Sequence, residues 1–352
     1  MRHPPSLFLT LCLTAAACGS PPTETGTPGD VLAPSTNRDR PPAGGAGIYG
    51  LSSPGPRRGC DQLAGARQFD FWVGQWAITN AAGNPAGASR ITSELNGCAV
   101  FEFFGGGFGL SLNRYDGRAD RWTQDYVDNT GFTLRLAGGL DAAGAMRMED
   151  EVRAIPNGPA LKSRFVWTPN QDGTVRQVWN FSRDGGASFL VNFNGLYAAN
   201  PAYVDPPPPA PGACLNRPAQ RAADGFVGTW EVRTDRGRKV GMAELTLEAA
   251  SCLIVERFAG PGQFEHRAFL YFDRFVGQWF RMHADNRGGG YRLSGTVSGS
   301  TFVLTADDGN DGRPTRLTWN LDSADRATQV WETQALDGTW RISAKLVWVR
   351  VA

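Results

Sequence analysis

Beyond residue 70 the chain reads as short runs in which apolar and polar residues alternate with a period of two, broken by turn residues roughly every 8 to 15 positions. Phe132, Leu134 and Leu136 alternate with Thr133 and Arg135, and Phe189, Val191 and Phe193 alternate with Leu190, Asn192 and Asn194. The pattern predicts strands near 72–79, 89–95, 99–105, 110–115, 121–128, 132–137, 145–152, 161–168, 174–182 and 189–197. No long amphipathic helix competes with them. A meander of eight to ten antiparallel strands closing into a barrel is therefore the economical topology, because closure removes the exposed edges.

The chain also repeats itself. Cys60, Gly74, Trp76, Cys98 and Glu102 recur 154 positions later as Cys214, Gly228, Trp230, Cys252 and Glu256. After a three-residue insertion, Asp116, Trp122, Asp128, Asn129, Arg135 and Gly138 recur as Asp273, Trp279, Asp285, Asn286, Arg292 and Gly295. After a five-residue deletion, Arg164, Trp167, Gln177 and Trp179 recur as Arg316, Trp319, Gln329 and Trp331. This is an old duplication with two copies at 60–200 and 214–352, joined by a Pro-rich linker at 201–213, and each copy has ordinary domain size. The fold class expected is all-β, two tandem antiparallel barrels.

The repeat organises the cysteines. Of the 6, Cys12 leaves with an export signal and Cys18 follows it, which leaves one cysteine opening each copy and one 38 positions on. Equivalent pairs imply disulfides Cys60–Cys98 and Cys214–Cys252, which an oxidising compartment permits. Metal ligation, for which no CxxC or nearby His is present, and free thiols are the alternatives.

The N-terminus points to the cell envelope. Residues 1–17 carry Arg2, an apolar run from Leu7 to Ala17 and three alanines before Cys18, the layout of an export signal. Ala15, Ala16 and Ala17 before Cys18 resemble a bacterial lipobox, which implies lipidation of Cys18, and Gly19 resembles the residue of lipoproteins passed to the outer membrane. A plain secretory signal cut at the same alanines is the alternative. The bilayer would then be a partner through the anchor, with the body facing the periplasm. Residues 18–59 form a tether, with 8 Pro and 8 Gly between positions 21 and 59. Gly45, Gly47 and Gly50 spell GxGxxG inside it, but a dinucleotide fingerprint needs a strand before and a helix after, so the match is chance.

The segment FDFWVGQW, then a Gly-Cys pair before an apolar strand, then RWTQDYVDN, SRFVWTP and VRQVW, resembles a family of uncharacterised bacterial secreted proteins with lipocalin-like (calycin) barrels. The likeness covers nearly all of copy one and, more weakly, copy two. Gly74-Gln75-Trp76 and Gly228-Thr229-Trp230 match the GxW element that opens the first calycin strand. The resemblance implies lipocalin-like barrels of 8–10 strands in which Trp76 and Trp230 plug the closed end, and a fold that generally carries hydrophobic small molecules. Fold analogy does not establish function.

Candidate ligand-binding residues are the polar and aromatic positions kept in both copies: Glu102, Trp122, Arg164, Gln177 and Trp179, matching Glu256, Trp279, Arg316, Gln329 and Trp331, with the Trp167 and Trp319 pair beside them. They either converge inside a barrel, as small-molecule sites do, or form an exterior cross-strand ladder. Period two does not say which face is inward. Asp128-Asn129 and Asp285-Asn286 sit at strand ends and read as Asx turns.

Composition narrows the function further. Hydrophobic residues make up 41% and charged residues 20%, with a formal net charge of +1 and basic residues dispersed along the chain, which argues against nucleic acid. With 44 Gly and 11 Trp but only 5 Met, the chain is turn-rich and aromatic. Catalytic signals are thin. Besides His3 the histidines are His266 and His283, both in copy two, and no GxSxG, HExxH or P-loop occurs. An axial haem ligand is conceivable in copy two alone, and the acidic run Asp307, Asp308, Asn310, Asp311 lacks EF-hand spacing and reads as a hairpin loop. No cofactor, metal site or catalytic residue is expected. The expectation is a membrane-anchored periplasmic protein that binds a small, largely apolar molecule. Its rivals are a scaffold with filled barrels and an enzyme using interior Glu and Arg.

Overall fold

The alternating runs fold as strands throughout, and the computed structural model describes residues 59–155, 158–210, 212–306 and 312–351. The export signal, Cys18, the tether with its GxGxxG match, and the acidic run at 307–311 lie outside the described residues. Copy one supplies β1 (Gly74–Asn80), β2 (Pro85–Glu94), β3 (Ala99–Phe104), β4 (Gly109–Asp116), β5 (Arg121–Asp128), β6 (Thr133–Leu140), β7 (Met146–Asp150), β8 (Arg153–Ala154), β9 (Ala160–Pro169), β10 (Val175–Ser182) and β11 (Leu190–Ala199). Sequential pairing, with β7 to β9, β9 to β10 and β11 back to β1, closes ten antiparallel strands, and the two-residue β8 is an appendage on β9. Copy two closes in the same way through β12 (Gly228–Thr234), β13 (Lys239–Glu248), β14 (Leu253–Gly260), β15 (Phe264–Asp273), β16 (Gln278–Asp285), β17 (Gly290–Ser298), β18 (Thr301–Ala306), β19 (Thr315–Ser323), β20 (Arg326–Gln334) and β21 (Trp340–Arg350).

One expected alternation breaks. Trp179 pairs with Phe193 but Asn180 pairs with Val191, so Asn192 is an extra residue in β11. A bulge of this kind moves everything beyond it to the other face. Phe193 stays inside, while Val191 is turned out and is 63% exposed.

Each barrel is sealed at one end by the segment before its first strand. In copy one a 3-10 turn, Asp70–Trp72, places Trp72 beneath the barrel, and the Trp76 indole donates to the Trp72 carbonyl at 3.0 Å. Phe69 and Trp72 stack at 4.8 Å and meet Trp122 and Trp167, all of them buried. Copy two repeats the device after α1 (Pro218–Arg221), where the Trp230 indole donates to the Phe226 carbonyl at 2.8 Å and Phe226 packs on Trp319. Both disulfides are present, Cys60–Cys98 and Cys214–Cys252, and tie these plugs to the β2–β3 and β13–β14 turns.

The two barrels belong to one compact unit and pack through the outer faces of β3–β6 and β14–β17. Phe101 meets Phe269 edge-on at 5.6 Å, and the Tyr271 hydroxyl donates to Asp125 at 2.7 Å. Arg135 reaches Asp273 at 2.6 Å, and its counterpart Arg292 reaches Asp125 at 2.7 Å in the opposite direction. Gly131 lies against Cys214 Sγ, where an added Cβ would stand 2.9 Å away, and its counterpart Gly288 lies against Cys60 Sγ at 3.3 Å. The two Gly-to-Cys contacts are reciprocal, as in a two-fold dimer whose subunits have been fused, whereas the equivalent arginines reach aspartates at non-equivalent positions. The linker does not hang free: Asp205 pairs with Arg90 at 3.0 Å, and Pro206 covers Gly106 in the β3–β4 turn.

Candidate functional site in the first barrel

Strand pairing settles which candidates face inward, because residues opposite one another share a face. Glu102 pairs with Ile91 and Ser111, Ser111 with Tyr126, and Trp122 with Tyr115, all on the inner wall. On the far side Gln177 pairs with Trp167 and Gly195, and Trp179 with Phe165 and Phe193, also inside. Arg164 is offset by one from Phe165 and so points outward, bonded to Glu149 and stacked 4.2 Å over Phe189. Arg316 repeats this on copy two with Glu332 at 2.7 Å and Trp340. The six tryptophans, Trp122, Trp167, Trp179, Trp279, Trp319 and Trp331, all face inward. The conserved set thus divides: Glu, Gln and Trp inside, Arg on the exterior ladder.

In the second barrel the shared carboxylate is met by groups of the barrel itself. Glu256 is bonded to His266 Nε2 at 2.6 Å and to Arg281 at 2.8 Å, and Arg281 extends to the Tyr291 hydroxyl at 3.3 Å. His283 stacks on Tyr291 at 4.6 Å, and Gln329 accepts from the Trp331 indole at 2.9 Å. Burial pushes the Glu256 carboxyl up, but Arg281 and His266 more than offset it and hold it at about 2. Burial keeps His266 below its usual value despite Glu256, and puts His283 well below it with help from His266, Arg281 and Arg114. His266 also lies flat on Phe258, which with Phe264 closes the end opposite the plug. Every one of these side chains is buried.

The first barrel carries the same carboxylate in different company. Register places Gly109 where copy two has His266, Gln124 where it has Arg281, Ser89 and Ser111 where it has Ala243 and Ala268, and Gly195 where it has Leu346. Glu102 therefore receives hydrogen bonds from two hydroxyls, Ser89 at 3.0 Å and Ser111 at 3.3 Å, and from no cation among the described residues. Burial outweighs those bonds and pushes its carboxyl up to about 7. The rings of Tyr126 and Phe193 occupy the space beside Gly109 and Gly195, and at this end Phe104, Tyr126, Phe132, Trp179 and Phe193 are all half-buried, whereas the aromatic residues of the plug are fully buried. Tyr126 lies over Gly109, where an added Cβ would meet its hydroxyl at 2.2 Å. Burial, Asp128 and Glu102 push its phenol well above the usual range, so it keeps its proton as a donor. The Gln177 Oε1 and the Trp179 indole have no hydrogen-bond partner; their copy-two counterparts bond each other, while Gln329 Nε2, His283 Nδ1 and the Trp279 and Trp319 indoles are unpartnered there.

Asp128 and Asp285 are the expected Asx turns. Asp128 accepts from the amides of Thr130 and Phe132 at 2.8 and 3.0 Å, and Asp285 from those of Arg287 and Gly289 at 2.8 and 2.9 Å. Among the described residues no group of three or more His, Cys, Asp or Glu is arranged to hold a metal ion, and no helix is long and apolar enough to cross a membrane. Sequence reasoning missed Ser89, Ser111, Tyr126, Phe104 and Phe193. Comparing copies selects what they share, whereas these positions matter because the copies differ there; hairpin register from Glu102 was the signal that could have found the serines.

No protein-family model matches the chain, and no curated protein does. Among solved structures, a protein of unknown function from the DUF3598 family of Nostoc punctiforme PCC 73102 is 8% identical, with 82% of this chain and 100% of that chain covered. The TM-score is 0.19, so the likeness carries no functional reading.

Proposed function

We propose that this protein binds a small, largely apolar molecule in the first barrel, and that the second barrel is a filled structural partner which fixes the first through the shared face. The observation that carries the reading is the contrast between two interiors built on one plan. Among the described residues Glu102 in barrel one meets only hydroxyls where Glu256 meets Arg281 and His266, and Phe104, Tyr126, Phe132, Trp179 and Phe193 are left half-buried. An apolar wall with a few convergent polar groups is how small-molecule sites are built. The calycin resemblance of copy one is in keeping with a carrier role. The lipobox-like residues before Cys18 support a lipid anchor that holds the barrels at the periplasmic face of the outer membrane, where metabolic labelling with a fatty acid would be lost in Cys18→Ser.

The binding test is a fluorescence titration of the full-length protein with N-phenyl-1-naphthylamine, a neutral hydrophobic probe. One site per chain is expected. Gly195→Leu, which copies the second barrel's residue into the first, abolishes it, with a circular dichroism spectrum confirming that the barrels persist. If that variant does not fold, Trp179→Ala substitutes and weakens binding. No enhancement, two sites per chain, or indifference to both substitutions contradicts the proposal.

A further inference from the structure

The head group that this barrel selects can be read from its own duplicate, an argument that rests on the binding role proposed above. In barrel two the carboxylate of Glu256 holds a guanidinium at 2.8 Å and an imidazole at 2.6 Å. These two groups arrive from the positions that in barrel one are Gln124 and Gly109. Barrel one has the same carboxylate but neither the guanidinium nor the imidazole beside it. Glu102 is buried like Glu256 and faces inward with Ser89 and Ser111.

What surrounds it suits a cation that brings its own apolar body. Phe104 and Tyr126 stand on the Glu102 wall and Trp179 on the far side, stacked on Phe165 at 5.2 Å, and an organic cation is attracted to aromatic rings. Gln177 faces inward, and its buried Oε1 has no hydrogen-bond partner. The other inward carboxylates toward the open end are Asp128, held in its Asx turn, and Asp150, paired with Arg153 at 3.2 Å. Arg153 itself is directed to the barrel interface, donating to the Thr133 carbonyl at 2.9 Å and lying 3.9 Å from Asp273. Arg274 acts on Asp128 from copy two. None of these cations reaches Glu102.

We infer that the first barrel recognises an organic ammonium, an amine carried on an apolar chain or ring, with Glu102 as the counter-ion, Gln177 accepting a second N–H and Tyr126 and Trp179 facing the charge. The ammonium takes the place that Arg281 and His266 occupy against Glu256 in barrel two.

The experiment is displacement of N-phenyl-1-naphthylamine from the full-length protein at pH 8 by octylamine, octanol and octanoate, which share one apolar body. Octylamine is expected to displace at least tenfold more tightly than octanol, with octanoate weakest. Glu102→Gln brings the amine-to-alcohol ratio to about one, and Arg164→Gln, on the outer face, leaves the tenfold preference in place. Equal displacement by amine and alcohol, a preference for octanoate, or a preference that survives Glu102→Gln overturns the inference while leaving the binding role standing. Failure of the probe to bind at all removes the binding role and the inference with it.

Discussion

Replacing Glu102 by Gln gives the most quantitative test of its electrostatic position. Folding moves this carboxyl from an ordinary 4.5 to about 7. Between those values the folded protein holds a proton that the unfolded chain has released, so raising the pH favours the unfolded chain. The shift of about 2.5 units corresponds to roughly 3 kcal/mol of stability lost by the wild type between pH 4.5 and pH 8. Glutamine has the same shape, keeps a hydrogen bond with the serines and cannot ionise. Glu102→Gln should match the wild type within about 1 kcal/mol at pH 4.5 and exceed it by about 3 kcal/mol at pH 8. Guanidinium unfolding followed by tryptophan fluorescence at both pH values reads this directly, and all other titrations cancel in the difference. A difference that stays constant with pH would refute the claim that Glu102 is buried without a cation.

Glu256→Gln is expected to behave oppositely at neutral pH, losing about 3–5 kcal/mol in the same unfolding assay because Arg281 is left buried without its carboxylate. Since folding holds Glu256 near 2, its contribution is present above pH 4.5 and disappears as pH falls toward 2, so acid unfolding should be gentler in the variant. Removing either disulfide by a Cys60→Ser/Cys98→Ser or Cys214→Ser/Cys252→Ser pair should cost about 4 kcal/mol, from the closure of a 38-residue loop, read as a lowered denaturant midpoint. Asp125→Ala removes the acceptor of Tyr271 and the partner of Arg292 at the buried junction of the barrels; a loss of about 2–4 kcal/mol and faster proteolysis of the 201–213 linker are expected.

The strands were legible in the sequence because each is a short alternating run with turn residues at its ends, and all ten expected in copy one form. The disulfides were legible because duplication pairs the cysteines without any geometry. The face of each residue was not. Glu102 and Arg164 look equivalent as polar residues within strands, and only the ladder register sends one inside and the other out. The bulge at Asn192 was invisible because Val191 and Phe193 fit period two perfectly well on paper. The site itself was half legible. Glu102, Gln177 and Trp179 emerged from the repeat, but what distinguishes the barrels is substitution around them, and the effect of Gly109 for His266 or Gln124 for Arg281 exists only once the strands are paired. The interface between the barrels was hidden for the same reason, since Arg135 and Arg292 read as ordinary surface charges until Asp273 and Asp125 are brought opposite them.

The division of labour between the barrels is tested most directly by photocrosslinking the full-length protein with an octylamine analogue bearing a diazirine on its chain, and mapping the label by peptide mass spectrometry. The expected result is one label per chain, on peptides carrying Phe104, Tyr126, Trp179 or Phe193, and reduced in Glu102→Gln. Labelling of the matching strands β14, β16, β20 or β21, or a scatter over outer faces of both barrels, would contradict it.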